Sequence, residues 1–186
     1  WRPPLAGCDS GQRLVGPTGS GKSELAALAQ QHYGAGMDAR HLPGNWSSTD
    51  NALEMLCFTV KDGLVVVDDF CPTGRQSDVQ AMQRRADRLF RAQGNTSGRQ
   101  RLSRDSTLRP ARPPRGMVLS TGEDVPMGQS LQARVLISEV PKDGSNAVDW
   151  DRLTACQKDA ASGLYAQAMS GYIRWLAAQY DEIQTG

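Results

Sequence analysis

Long apolar runs, cysteine pairs and aromatic residues are all scarce in this 186-residue chain. Its longest strongly apolar run, Leu64 to Val67, falls far short of the roughly 20 residues a spanning helix needs, so no membrane segment is expected. The four cysteines, Cys8, Cys57, Cys71 and Cys156, are scattered and include no C-x-x-C pair. That spacing argues against a zinc site or a disulfide framework and suits a cytoplasmic location. Aromatic residues are 6% of the chain, and none lies between Asn95 and Pro114. The first residue is Trp1, and no basic start leads into an apolar run, so the sequence reads as a piece of a larger protein without a signal peptide. Internal repeats are absent as well. With 39% hydrophobic residues and a mean hydropathy of -0.50, the composition is globular but polar. Its length suits one compact domain, the default, or a domain with a small appendage.

Against this background one stretch stands out. Gly16-Pro17-Thr18-Gly19-Ser20-Gly21-Lys22-Ser23 fits the phosphate-loop pattern G-x-x-x-x-G-K-[ST] at every fixed position. Glycines let a tight loop turn its backbone N–H groups inward around phosphates. Lys22 is placed to reach the β- and γ-phosphates, Ser23 to offer a hydroxyl to Mg²⁺, and the helix that follows points its positive end at the anion.

The strand expected before this loop, Gln12-Arg13-Leu14-Val15, is unusually polar for the centre of a parallel sheet. Beyond the loop, Leu25, Leu28, Ala29 and His32 recur at helical spacing as far as Gly34. Met37 to Leu42 reads as an edge strand. Asn51 reads as an N-cap with Glu54 three residues on, opening a helix that ends near Gly63. Leu64-Val65-Val66-Val67-Asp68-Asp69 reads as a buried parallel strand that runs into two carboxylates. A helix from Ser77 towards Gln93 follows, then an extended loop or hairpin from Asn95 to Pro114. Gly116 to Thr121 and Val135 to Ile137 read as strands, and Trp150 to Tyr180 as two or three capping helices. The expected architecture is α/β and three-layered with a mainly parallel central sheet, divided into a core at 1–148 and a C-terminal helical cap or lid at 149–186.

An acidic residue at the carboxyl end of a central strand can meet a cation held beside a phosphate loop. Asp68 is the candidate Mg²⁺ ligand together with Ser23, and Asp69 the candidate for orienting or deprotonating the attacking water. Two aspartates also commonly begin a turn after a strand. Thr121 is a candidate sensor of the γ-phosphate or the water. Arg134 is a candidate for contacting a transition-state phosphate, in cis or from a neighbouring subunit. From Arg84 to Arg115 there are ten arginines, two aspartates and no lysine, a net +8 that leaves -7 for the rest of a chain whose total is +1. Such a segment fits phosphate contact, hence sequence-independent and salt-dependent DNA binding, or else a solvated or subunit-facing arginine surface.

These motifs give the chain a resemblance to P-loop NTPases of the additional-strand kind, AAA+ ATPases and superfamily 3 helicases in particular. Val66-Val67-Asp68-Asp69-Phe70, Arg91 to Asn95 and Leu119-Ser120-Thr121-Gly122-Glu123-Asp124 resemble an uncharacterised bacterial family of ATPases associated with mobile-element or phage replication genes. The resemblance spans roughly Arg13 to Trp175. It implies an ATP site at Gly16 to Ser23, carboxylates for metal and water at Asp68 and Asp69, a sensor at Thr121 and an arginine finger at Arg134. It also implies a homo-oligomeric ring with a hairpin, within Asn95 to Pro114, in its channel. Two departures are visible: such proteins usually carry Asp-Glu where this chain has Asp68-Asp69, and commonly Asn where it has Thr121.

The sequence therefore leads to a Mg²⁺-dependent ATPase acting on DNA. Two alternatives remain open at this point: a slow or non-hydrolysing module whose assembly responds to nucleotide, and a small-molecule kinase.

Overall fold

The computed structural model describes residues 10–125, 127–144 and 147–185, with the side chains at 101, 129, 130, 184 and 185 left aside. Cys8 and Trp1 lie outside that range. Five strands form one wholly parallel sheet: β1 (Gly11–Val15), β2 (Gly44–Asn45), β3 (Leu64–Phe70), β6 (Met117–Gly122) and β7 (Val135–Glu139), in the order β2-β3-β6-β1-β7. Strand β6 therefore lies between the strand that leads into the phosphate loop and the strand that ends in the aspartates. The α/β expectation is met, with helices on both faces.

On one face, α2 (Asp50–Thr59), α3 (Gln76–Gly94) and the single turn α4 (Gln129–Gln132) cover Val65, Val67, Phe70 and Val118, with Trp46 and Phe90 filling the centre. On the other, α1 (Lys22–Gln30) packs over Leu14, Leu64, Val66 and Leu119. The β-branched run in β3 is buried on both faces, which explains why it is continuously apolar rather than alternating. Behind α1 stand α5 (Trp150–Ala161) and α6 (Leu164–Ala178), followed by α7 (Tyr180–Thr185). Gln157 Nε2 donates to Glu24 Oε2 at 2.5 Å, and the His32 ring lies 4.8 Å from that of Tyr165. His32 is thus a packed residue. Among the described residues no helix is long and apolar enough to cross a membrane.

Three local expectations change. Residues 37–42 form turns, and the edge strand is the shorter Gly44–Asn45. A Cβ at Gly44 would press on the Val66 carbonyl and Leu56, so the close approach of β2 to β3 depends on glycine. Helix α2 is capped by Thr49, which accepts from the Ala52 N–H at 3.3 Å, rather than by Asn51. The basic loop does form a hairpin, β4 (Arg101–Leu102) with β5 (Leu108–Arg109), only two residues to a strand.

Polar β1 also finds its reason. Arg13 is fully buried beneath the site, where Nη1 donates to Ser120 Oγ at 2.8 Å, Nε and Nη2 donate to the Asp124 carbonyl, and the guanidinium lies over the Phe70 ring. Burial lowers its pKa to about 10, partly offset by the charge of Asp124.

Candidate functional site

The loop Gly16–Gly21 leaves the carboxyl end of β1 and turns through left-handed backbone at Gly19 (φ 79°) and Gly21 (φ 87°) before α1 begins at Lys22. A side chain at Gly16 would collide with the Val140 carbonyl, and none at Gly19 would meet any atom. The loop is therefore closely supported at its base and open at its tip. Lys22 is buried along its stem, and its Nζ donates to the Pro17 carbonyl at 2.7 Å and to Ser20 Oγ at 3.4 Å. The lysine is thus folded back over the loop that carries it.

Beside the loop, β3 and β6 break register. Val67 pairs with Ser120 and Phe70 with Gly122, so Asp68 and Asp69 together oppose Thr121 alone, a β-bulge at the strand end. Asp69 takes the extra residue's conformation, with φ 64°. The Thr121 hydroxyl joins the two sides: it donates to Asp68 Oδ1 and accepts from the Asp69 N–H at 3.2 Å. Ser23 Oγ donates to the same Asp68 Oδ1 at 2.8 Å. Hydroxyls from α1 and β6 thereby converge on one carboxylate oxygen.

Ser23, Asp68, Thr121 and Lys22 are brought to one end of the sheet, as expected, with Asp69 exposed at its edge. Arg134 is not among them. It stands at the amino end of β7, where its carbonyl accepts from Gly11 N–H and its Nη2 donates to Asn95 Oδ1 at 3.3 Å. Gly11 and Gly16 are separated by the length of β1, about 16 Å at some 3.3 Å per residue. Arg134 therefore does not reach the loop of its own chain, which removes the cis alternative.

Glu123 was not singled out by sequence reasoning, since an acidic residue after a strand looks like turn material. Its Oε1 accepts from Thr18 Oγ1 at the tip of the phosphate loop, and its Oε2 from Cys71 Sγ at 3.6 Å. The Thr18 hydrogen bond holds the Glu123 carboxyl below its ordinary range, with a smaller contribution from the Lys22 charge.

Ser23 and Asp68 offer hard oxygen donors suited to Mg²⁺, and a glycine loop with left-handed backbone at Gly19 and Gly21, set at the start of α1, suits phosphate. Among the described residues no group of three or more His, Cys, Asp or Glu side chains is placed to hold a metal by itself. A cation here depends on ligands such as phosphate oxygens, the usual arrangement for Mg²⁺ beside nucleotides.

Among solved structures, the chain is similar to one described as SCCmec type IV Cch, active helicase, with a TM-score of 0.61 and 19% sequence identity. The match covers 94% of this chain and 30% of that one, so this chain corresponds to under a third of that protein's length. At this identity the likeness is one of fold. No family model and no curated protein matches the chain.

Proposed function

We propose that the chain is a Mg²⁺-dependent ATP-binding and ATP-hydrolysing unit of the AAA+ or superfamily 3 type, coupled to unwinding, translocation or remodelling of DNA in replication or transfer of a mobile element. The observation that carries the reading is the convergence of Ser23 and Thr121 on Asp68 Oδ1 beside a complete phosphate loop.

In this reading Lys22 leaves the Pro17 carbonyl to pair with the β- and γ-phosphates, while the loop N–H groups hold the triphosphate. Ser23 and Asp68 hold the cation, which when bound neutralises charge on the phosphates. Asp69 places the attacking water and accepts its proton, and Thr121 fixes both aspartates across the bulge. Arg134 serves the site of a neighbouring copy in a homo-oligomeric ring, which accounts for its distance from its own loop. Residues 1–148 are the catalytic core, and 149–186 a cap seated behind α1.

The test is phosphate release from Mg·ATP, with and without single- and double-stranded DNA, across a series of salt concentrations. Lys22→Ala abolishes turnover, and Arg134→Ala abolishes it while ATP binding stays nearly intact. Full activity in Arg134→Ala would remove the finger assignment. A nucleotide-dependent assembly switch is the second reading, favoured by the short, left-handed Asp69. It takes over if ATP binds and drives assembly without turnover.

A further inference from the structure

A cavity of about 830 Å³ lies away from the phosphate loop, between the first turns of α2, the outer face of α3 and the two ends of the arginine-rich loop. Leu53 and Leu89 line it, and both are buried in the core below. Arg84, Arg85 and Arg88 line it from α3, and Arg99 and Arg112 from the loop. Asp50, Glu54 and Asp87 line it as well, and Asp87 is ion-paired with Arg91 of the same helix. The Asp50 carboxylate accepts from Arg85 Nε at 2.8 Å and is ion-paired with Arg88, while Arg85 Nη1 donates to the Trp46 carbonyl at 2.5 Å. Burial alone would raise the Asp50 carboxyl, but the Arg85 hydrogen bond and the charges of Arg88, Arg85 and Arg99 together hold it below its usual range. Arg84 and Arg99 make no ion pair among the described residues.

Six arginines against three carboxylates line this groove, from α3 and from the loop, so its net positive charge suits a repeated anion. On α3, Arg84 and Arg88 follow one another at just over one helical turn, about 6 Å along the axis. Guanidinium groups contact phosphate through two parallel N–H bonds, and exposed ones do so with little desolvation cost. No aromatic side chain lines the cavity, so bases find no stacking surface there. A space of pocket size admits a single strand but not the width of a duplex.

We propose that this groove binds the phosphate backbone of a single nucleic-acid strand, and that Asp50 is an internal stand-in which the incoming phosphate displaces from Arg85 and Arg88. The proposal rests on the nucleic-acid half of the function given above and not on hydrolysis. It also separates strand binding from the β4–β5 hairpin, which the arginine content alone does not do.

The experiment is fluorescence anisotropy of a labelled 20-mer of oligo-dT with the whole chain, without nucleotide, between low and physiological salt. The paired variant Arg84→Ala/Arg99→Ala weakens binding at least tenfold and flattens the log–log salt slope by about 1.4, two contacts at some 0.7 each for single strands. Asp50→Asn tightens binding severalfold at low salt, an effect a merely structural aspartate does not produce. Both variants keep the parent melting temperature to within a few degrees and the parent basal ATPase rate. Equal binding by the paired variant, tighter binding of duplex than of single strand, or weaker binding by a folded Asp50→Asn overturns the proposal. So does full competition by poly-glutamate at equal charge, which assigns the groove to an acidic protein segment. A chain that hydrolyses ATP but binds no strand removes the groove and leaves the ATPase reading standing. Strand binding by a parent chain that releases no phosphate from Mg·ATP does the reverse.

Discussion

The Thr18 hydroxyl, at the exposed tip of the phosphate loop, is hydrogen-bonded to the Glu123 carboxylate in the turn after β6. A negative charge thus stands against the tip of the loop. The Lys22 charge is among the causes that hold the Glu123 carboxyl below its ordinary range.

Glu123→Gln keeps the shape and removes this charge. Mg·ATP binding is expected to tighten by roughly two- to fivefold, the scale of a solvent-screened charge interaction. Titration with a fluorescent ATP analogue measures it. Unchanged or weaker binding would show that Glu123 helps to hold the bound nucleotide instead.

Thr121→Val removes the hydroxyl that spans the bulge and leaves the strand's shape. ATP binding is expected to persist while turnover falls about 10²-fold, the loss typical of a mispositioned proton acceptor. Chelating Mg²⁺ abolishes turnover in parent and variant alike. Single-turnover kinetics distinguish this from weaker binding, and a change confined to KM would contradict it.

Arg13→Ala leaves the Asp124 carbonyl and Ser120 short of a donor and empties the space over Phe70. The loss of stability is expected to be about 3 kcal/mol, the range for breaking a buried charged hydrogen-bond network. Arg13→Lys restores little of it, because an ammonium cannot reproduce the planar fork. Urea unfolding followed by the buried Trp46 reports both.

Gly16→Ala drives a methyl group into the Val140 carbonyl, where β7 ends beside the loop. Nucleotide binding is expected to weaken at least about tenfold, equivalent to some 1.4 kcal/mol. Gly19→Ala meets open space but must hold a left-handed φ, and it is expected to show the milder defect. Equilibrium binding of both variants ranks them.

The phosphate loop, the acid-ended strand and the helices around them were legible because each is written in consecutive residues with a distinctive period or spacing. What escaped depends on contacts between distant positions. The polarity of β1 reads as weakness until Arg13 meets Ser120, 107 residues away. Glu123 carries no local signal, because its meaning comes from Thr18. The bulge is invisible in Val67 to Phe70 alone, since a register shift belongs to a pair of strands. The false strand at 37–42 had enough apolar residues for an edge, but the turns there left pairing to Gly44 and Asn45, where a missing Cβ lets the backbones close.

Ser120 Oγ receives Trp46 Nε1 from one side and Arg13 Nη1 from the other, both at 2.8 Å. A hydroxyl oxygen has two lone pairs, and here both are engaged. The end of edge strand β2, the middle of β6 and the strand under the phosphate loop are pinned to a single atom, so they tilt together or not at all. In the proposed ATPase cycle, movement is then left to the parts outside this pin: the loop tip, the turn after β6 and the helices behind α1. On that reading the centre of the sheet is a fixed axle for those parts.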